Sequence, residues 1–246
     1  MASAALVLSL ALAPISGQDP AAAKGKGKAG RGGFAPQAGP PGPVPLLSDG
    51  KPDLSGIWNG QRAVAQDMPP MLPWAEKVVE QRRATQSADD FEARCLPGGP
   101  PRAAPYHTSL FSTPKLVLML FEGNTHMYRQ FFVDGSTHPA DLKPTFYGDS
   151  RAHWDGENLV VDTIGFNDIS WMDTLHPHTK QMHLTESFHR LDYGDLEINI
   201  KIEDPGTFTK PWTITRQTTL ETKMEMTEYV CNENNQDPGH LDGAHK

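Results

Sequence analysis

The sequence predicts a mainly β fold: an antiparallel meander closed into a barrel or a strongly curved sheet, with one N-terminal helix. Three observations carry that expectation. After Cys95 the chain runs in short apolar or alternating segments, the latter with the period of two that marks a half-buried strand. Gly, Asp and Asn residues punctuate these segments at turn positions. Only Pro73–Gln86 reads as a helix, with Trp74, Val78 and Val79 on one side and mixed charges elsewhere.

The elements follow in chain order. Ala4–Ile15 is an apolar run followed by Ser16, Gly17 and Gln18, the size of a signal-peptide core with a small-residue cleavage zone. Residues 1–17 are therefore read as a signal peptide, and the protein as exported, periplasmic or extracellular. Pro, Gly and Ala supply 19 of the 26 residues from Pro20 to Pro45, too little apolar surface to offset the entropy of ordering them. Residues 18–47 are expected to be a disordered tether that packs on nothing, and residues 48–246 a single β-barrel domain. The net charge is −8, without the concentrated basic surface that nucleic acid requires, so no nucleic-acid partner is expected. No apolar run reaches the roughly 20 residues that span a bilayer, so no integral membrane association is expected either. Cys95 and Cys231, an even count in an exported chain, are expected to form a disulfide, with two separately buried thiols as the alternative.

Leu54–Asn59 opens the sheet. Lys115–Phe121 is a continuous apolar strand, turned by Glu122-Gly123-Asn124-Thr125 into Met127–Val133. Leu159–Asp162 follows the turn Asp155-Gly156, and Met182–Arg190, Leu196–Glu203, Trp212–Leu220 and Met224–Cys231 complete the run. At least seven strands suffice for a barrel or a sandwich. One hairpin has a predicted register. Met182, Leu184 and Phe188 share a face, as do Leu196, Ile198, Ile200 and Ile202, so paired residue numbers must have an even sum. A three-residue loop at Tyr193-Gly194-Asp195 pairs Phe188 with Ile200 and gives Gly194 a positive φ.

Alternation also places one charge in the middle of each of four apolar faces. Arg129 lies with Met127, Phe131 and Val133; Glu186 with Met182, Leu184 and Phe188; Arg216 with Trp212, Ile214 and Leu220; Glu228 with Met224, Met226 and Val230. Lone buried charges are prohibitively costly, so the four must pair or line a polar cavity. Buried structural salt bridges and a polar floor inside a ligand-binding barrel are the two expectations.

Two resemblances rest on particular blocks. Gly56-Ile57-Trp58, within Asp53–Trp58, resembles the opening of lipocalin-like (calycin) barrels and implies a calycin-like barrel. Cys95-Leu96-Pro97 with Pro101-Arg102, Asp134-Gly135 with His138-Pro139, Gly148-Asp149-Ser150 and Leu159-Val160-Val161-Asp162-Thr163 belong to a second, wider set. It continues with Gly165-Phe166-Asn167-Asp168, His176-Pro177-His178-Thr179 with His183 and Glu186, Asp204-Pro205, Lys210-Pro211-Trp212 and Glu228–Asn235. Together these resemble a large family of exported bacterial proteins, which implies export and no particular activity. His153 and His189 depart from that family's pattern and are set aside as catalytic candidates.

Seven of the ten histidines lie between His126 and His189. His176 and His178 on an extended segment, with His183 from the next strand, are the candidate ligands for one divalent transition metal. His138 beside Asp149 has the composition of a general base and its orienting carboxylate. No nucleophile elbow, phosphate-binding loop or dinucleotide fingerprint is present. The leading expectation is an exported lyase or hydrolase that moves protons with histidine on a small polar molecule such as a sugar or an oxygenated aromatic. Its candidate catalytic residues are His138, His183 and Glu186; Arg129, Arg216, Glu228, Asp149 and Trp171 are the candidate substrate-binding residues. A non-catalytic exported lipocalin-like binding protein and a structural cell-surface domain are the alternatives.

Overall fold

A computed structural model describes residues 38–123 and 127–233. The signal-peptide segment, residues 18–37 of the expected tether, residues 124 and 125 of the expected turn with residue 126 after them, and residues 234–246 lie outside them. The described strands are β1 (Gly56–Trp58), β2 (Arg62–Gln66), β3 (Thr108–Ser112), β4 (Leu116–Phe121), β5 (Tyr128–Phe132), β6 (Asp149–Asp155), β7 (Asn158–Ile164), β8 (His183–Arg190), β9 (Asp195–Glu203) and β10 (Trp212–Glu221). The helix α1 spans Pro73–Ala84, and a 3-10 turn spans Phe91–Arg94.

The sheet runs β1-β3-β4-β5-β6-β7-β8-β9-β10, and β1 pairs with β10 to close it, giving a nine-stranded mixed barrel. β2 continues along the same side of β10 beyond β1. The meander is antiparallel except at β5 and β6, which run parallel. Parallel neighbours need a crossover of a dozen or more residues, and residues 133–148 supply it.

Inward and outward positions alternate without interruption along β7 and β8. Leu159, Val161, Leu184, Phe188, Ile198, Ile200 and Ile202 fill the interior. Arg190, the last residue of β8, is buried beneath one end of this core. It donates to the carbonyls of Asp53, Ser55, Asp192 and Tyr193, and its guanidinium lies 5.0 Å from the Trp58 ring. One side chain thus serves backbone acceptors from two distant segments that would otherwise be buried without donors.

Several expectations about elements are corrected. Met224–Cys231 alternates like a strand but forms none, and it cannot fold back on β10, whose edges are held by β9 on one side and by β1 and β2 on the other. Instead Thr227 donates its N–H and hydroxyl to Glu122, both at 2.8 Å, and Cys231 is disulfide-bonded to Cys95. The β8–β9 hairpin pairs Phe188 with Ile198, with Asp192-Tyr193-Gly194 as its loop, so the faces match as expected but the register is two residues off. Asp192 fixes that loop by accepting from the N–H groups of Gly194 and Asp195, and Gly194 is not at positive φ. Residues 38–47 also pack, contrary to the expected tether. Gly39 donates to Asp195, Tyr193 donates to Gly42 and Asp53 donates to Pro45. A Cβ on Gly194 would sit 2.4 Å from the Pro40 carbonyl oxygen, so glycine is what lets the two backbones cross.

α1 starts with Pro73, whose missing N–H costs nothing at that position. It buries Ala75, Val79 and Arg82, while Trp74 is largely exposed, so its inner face is rotated from the expected one. It stops at Ala84, before Gln86 and Ser87 take left-handed φ values.

Candidate functional site

Alternation brings Arg129, Glu186 and Arg216 inside the barrel, as the face pattern predicts. Arg129 Nη1 donates to Glu186 Oε1 at 3.0 Å, and its Nη2 reaches Oε2, Thr163 Oγ1 at 3.2 Å and Ser150 Oγ at 3.5 Å. The two charged side chains are 2% and 4% exposed. Beside them remains a cavity of about 20 Å³, room for a single water. The barrel is a packed core, because nine strands leave an interior that side chains nearly fill. Both carboxylate oxygens of Glu186 are engaged by Arg129, so the two expected site residues form a buried ion pair. Glu228 is exposed on the C-terminal strap and never reaches the interior.

The segment after Cys95 caps this core. Ala103 and Ala104 are buried, Gln61 donates its N–H to Ala104, and Pro100 and Pro101 face the small cavity. Gly60 permits the close approach, since a Cβ there would lie 2.2 Å from the Pro105 carbonyl oxygen. Outside the cap lies a pocket of about 400 Å³, whose walls include Gln61, Glu92, Arg102, Tyr106, Asp173 and Arg216. Arg216 borders both the pocket and the inner cavity.

The charges in this pocket are unequally satisfied. Arg102 donates to Asp90 at 2.6 Å, to Glu92 Oε2 at 2.8 Å and to the Asp173 carbonyl at 2.9 Å. Asp173 accepts from the His176 imidazole and from the N–H groups of Leu175 and His176. Burial works to raise its carboxyl, and those hydrogen bonds outweigh it and hold it below the usual range. Arg216 has one partner, the Pro101 carbonyl at 2.8 Å, and no carboxylate within ion-pair distance among the described residues. Burial pushes it down to about 10, with the charges of Glu186 and Asp173 opposing. Burial also pushes the Glu92 carboxyl up, with Arg102 opposing, and Glu92 Oε1 has no hydrogen-bond partner. The Tyr106 phenol is raised by burial as well. Four perturbed groups therefore line one pocket, the pattern expected of a functional site.

The histidines lie elsewhere. His138 Nδ1 is 2.7 Å from Asp149 and its Nε2 is 3.2 Å from Asp162, while His183 Nε2 contacts the other oxygen of Asp162. Arg151 holds Asp149 through two bonds, at 2.8 and 2.9 Å. Burial works to raise the Asp162 carboxyl, and hydrogen bonds from His183 and His138 outweigh it and lower it. His138 and Asp149 do pair as expected. Both ring nitrogens of His138 face carboxylates. Asp162 and His183 occupy outward positions of β7 and β8, whereas Glu186 points inward. The barrel wall divides the expected catalytic set, and Asp149 is held by His138 and Arg151.

The expected metal ligands do not gather. His176 is held by Asp173 at 2.6 Å, and His183 by Asp162. His178 is buried, donating from Nδ1 to the Thr179 carbonyl and accepting the Ser170 hydroxyl at Nε2. Burial lowers its pKa, so the ring is neutral and the Ser170–His178 pair is a sealed polar staple. Among the described residues, no group of three His, Cys, Asp or Glu is arranged to hold a metal ion. Trp171 is likewise no substrate platform. It is buried, with the Arg82 guanidinium 3.5 Å from its ring centroid, Arg102 at 5.5 Å and Phe91 edge-on.

Sequence reasoning missed Gln61, Glu92, Tyr106 and the role of Arg102. Arg102 lies in the Pro101-Arg102 block, but nothing periodic ties it to Glu92 or Arg216. Comparison of the chain with protein-family models, curated proteins and solved structures finds no match to any of them.

Proposed function

We propose that the protein is an exported binding protein that holds a small polar molecule in the pocket outside the Pro100–Ala104 cap. The observation that carries this reading is the pocket itself. Its volume of about 400 Å³ falls in the range of small-molecule sites, and it gathers Glu92, Tyr106, Asp173 and Arg216. The cavity beside the Arg129–Glu186 pair, about 20 Å³, has no room for such a ligand. Export is supported by the apolar N-terminal run, by the disulfide and by the blocks that resemble an exported bacterial family.

A second reading places proton-transfer chemistry, of lyase or hydrolase type, in the same pocket. It is favoured by Glu92, whose raised carboxyl and unpartnered oxygen suit a general acid. The test is a thermal-shift screen of the oxidised protein against small polar metabolites, followed by calorimetry of the hits. Thr174→Trp, at an exposed position on the pocket wall, should abolish binding without altering stability. Hits that bind Thr174→Trp unchanged would place the ligand elsewhere and sink the proposal. Chemical conversion of a bound hit, lost in Glu92→Gln while binding persists, would select the second reading.

A further inference from the structure

We infer that the molecule held at this pocket is a small organic acid and that Arg216 is the anchor of its carboxylate. The inference rests on the binding reading above and names the ligand class for that same site.

The cations of the site are unequally neutralised. Arg129, inside the barrel, is neutralised by Glu186 through two bonds. Arg102, on the pocket wall, is neutralised by Asp90 and Glu92 and donates a further bond to a carbonyl. Arg216 alone among the arginines lining the pocket has no carboxylate partner. A guanidinium offers five N–H donors, and one neutral carbonyl leaves that capacity largely unused. Holding a partly buried cation without an ion-pair partner is unfavourable, and burial depresses its pKa although the charges of Glu186 and Asp173 oppose. A bidentate oxyanion supplies both the charge and the planar pair of acceptors that the guanidinium fork matches.

Charge balance then selects among oxyanions. Glu92 and Asp173 stand on the same wall, so an incoming anion meets carboxylates as well as the Arg216 guanidinium. A single negative charge meets less of that repulsion than a phosphate dianion would. The remaining walls, with Ala63, Pro105 and Met172, give the body of an organic acid an apolar surface to lie on.

The test is calorimetry of the oxidised protein at low ionic strength. The probes are lactate, benzoate and gluconate, the primary amides of the same acids, inorganic phosphate and sulfate. At least one carboxylate should bind at least tenfold more tightly than its amide, and added chloride should weaken it. Arg216→Gln should lose at least tenfold in affinity, with Arg216→Lys intermediate. A readout independent of any ligand comes from Arg216→Met. If the guanidinium awaits an anion, its removal should leave the melting temperature of the ligand-free protein unchanged or raised. A fall of several degrees would mark Arg216 as a structural prop for Pro101 and overturn the inference. So would an amide that binds as well as its acid, affinity unchanged in Arg216→Gln, or phosphate preferred to every carboxylate. In each of these cases the binding reading stands if Thr174→Trp still blocks the hits of the wider screen, and it falls separately if Thr174→Trp has no effect.

Discussion

Glu186→Ala tests the interior ion pair directly. In the native protein Arg129 gives both terminal nitrogens to Glu186, and both side chains are sealed from solvent. Removing the carboxylate leaves the guanidinium with the hydroxyls of Thr163 and Ser150 at 3.2 and 3.5 Å, and its Nε already has no partner. Breaking a buried pair from one side costs about 3–5 kcal/mol, because the surviving charge is uncompensated. The adjoining cavity of about 20 Å³, enlarged by the truncation, admits water to part of that charge, which puts the expected loss near the lower figure. For a domain of this size about 3 kcal/mol corresponds to a fall of about 6–12 °C in Tm. Urea denaturation and calorimetry of the oxidised protein are the assays. The double variant Arg129→Met/Glu186→Leu, which removes both charges, should recover most of the loss. A loss below about 0.5 kcal/mol in Glu186→Ala would refute the reasoning, since that is the behaviour of an unremarkable surface site.

Other perturbations have equally definite outcomes. Replacing Cys95 and Cys231 with serine releases a loop of 136 residues and should cost about 5 kcal/mol on the chain-entropy model, read as a lower denaturation midpoint that matches the reduced native protein. The Asp162 carboxyl has a depressed folded-state pKa, so its contribution to stability is present above the unfolded value near 4 and is lost as pH falls through the lower folded value. Asp162→Asn should therefore flatten the decline of Tm below about pH 4, and an unchanged acid limb would contradict the assignment. A chain beginning at Leu46 should melt about 2–6 °C below one beginning at Ala38, because it loses the hydrogen bonds of Gly39 and Gly42 to the β8–β9 turn.

The parts of the fold legible in the sequence are those governed by local period. Glu186 and Arg129 were placed inside the barrel by alternation because each strand has neighbours on both sides, so its pleat does sort side chains in from out. Glu228 was misplaced by the same rule. Its segment alternates equally well, but alternation says which way a strand would face, not whether a partner edge is free to make it one. β3 and β6 were not foreseen for the converse reason: their outward positions carry Phe111, Arg151 and His153, which blur the pattern within a few residues. The pocket was the least legible feature. Glu92, Arg102 and Tyr106 sit on non-repeating backbone, and they meet Arg216 only because Gly60 lets the cap come within contact of the chain between β1 and β2.

The pairing of β1 with β10 has a consequence in time. Trp58 meets Leu220 across nearly the whole folded length of the chain, and that contact converts an open sheet into a barrel. Closure must therefore be a late event in folding, and a slow one, since long-range strand pairing requires the entropy of a large loop to be lost before any contact rewards it. A chain delivered from its N-terminus presents β1 early and must leave it waiting until the final strand arrives. During that interval the nascent sheet has reactive edges, which are templates for pairing with another chain. A fragment that stops before Trp212 would not yield a smaller barrel; it would be an unclosed sheet held in that aggregation-prone interval.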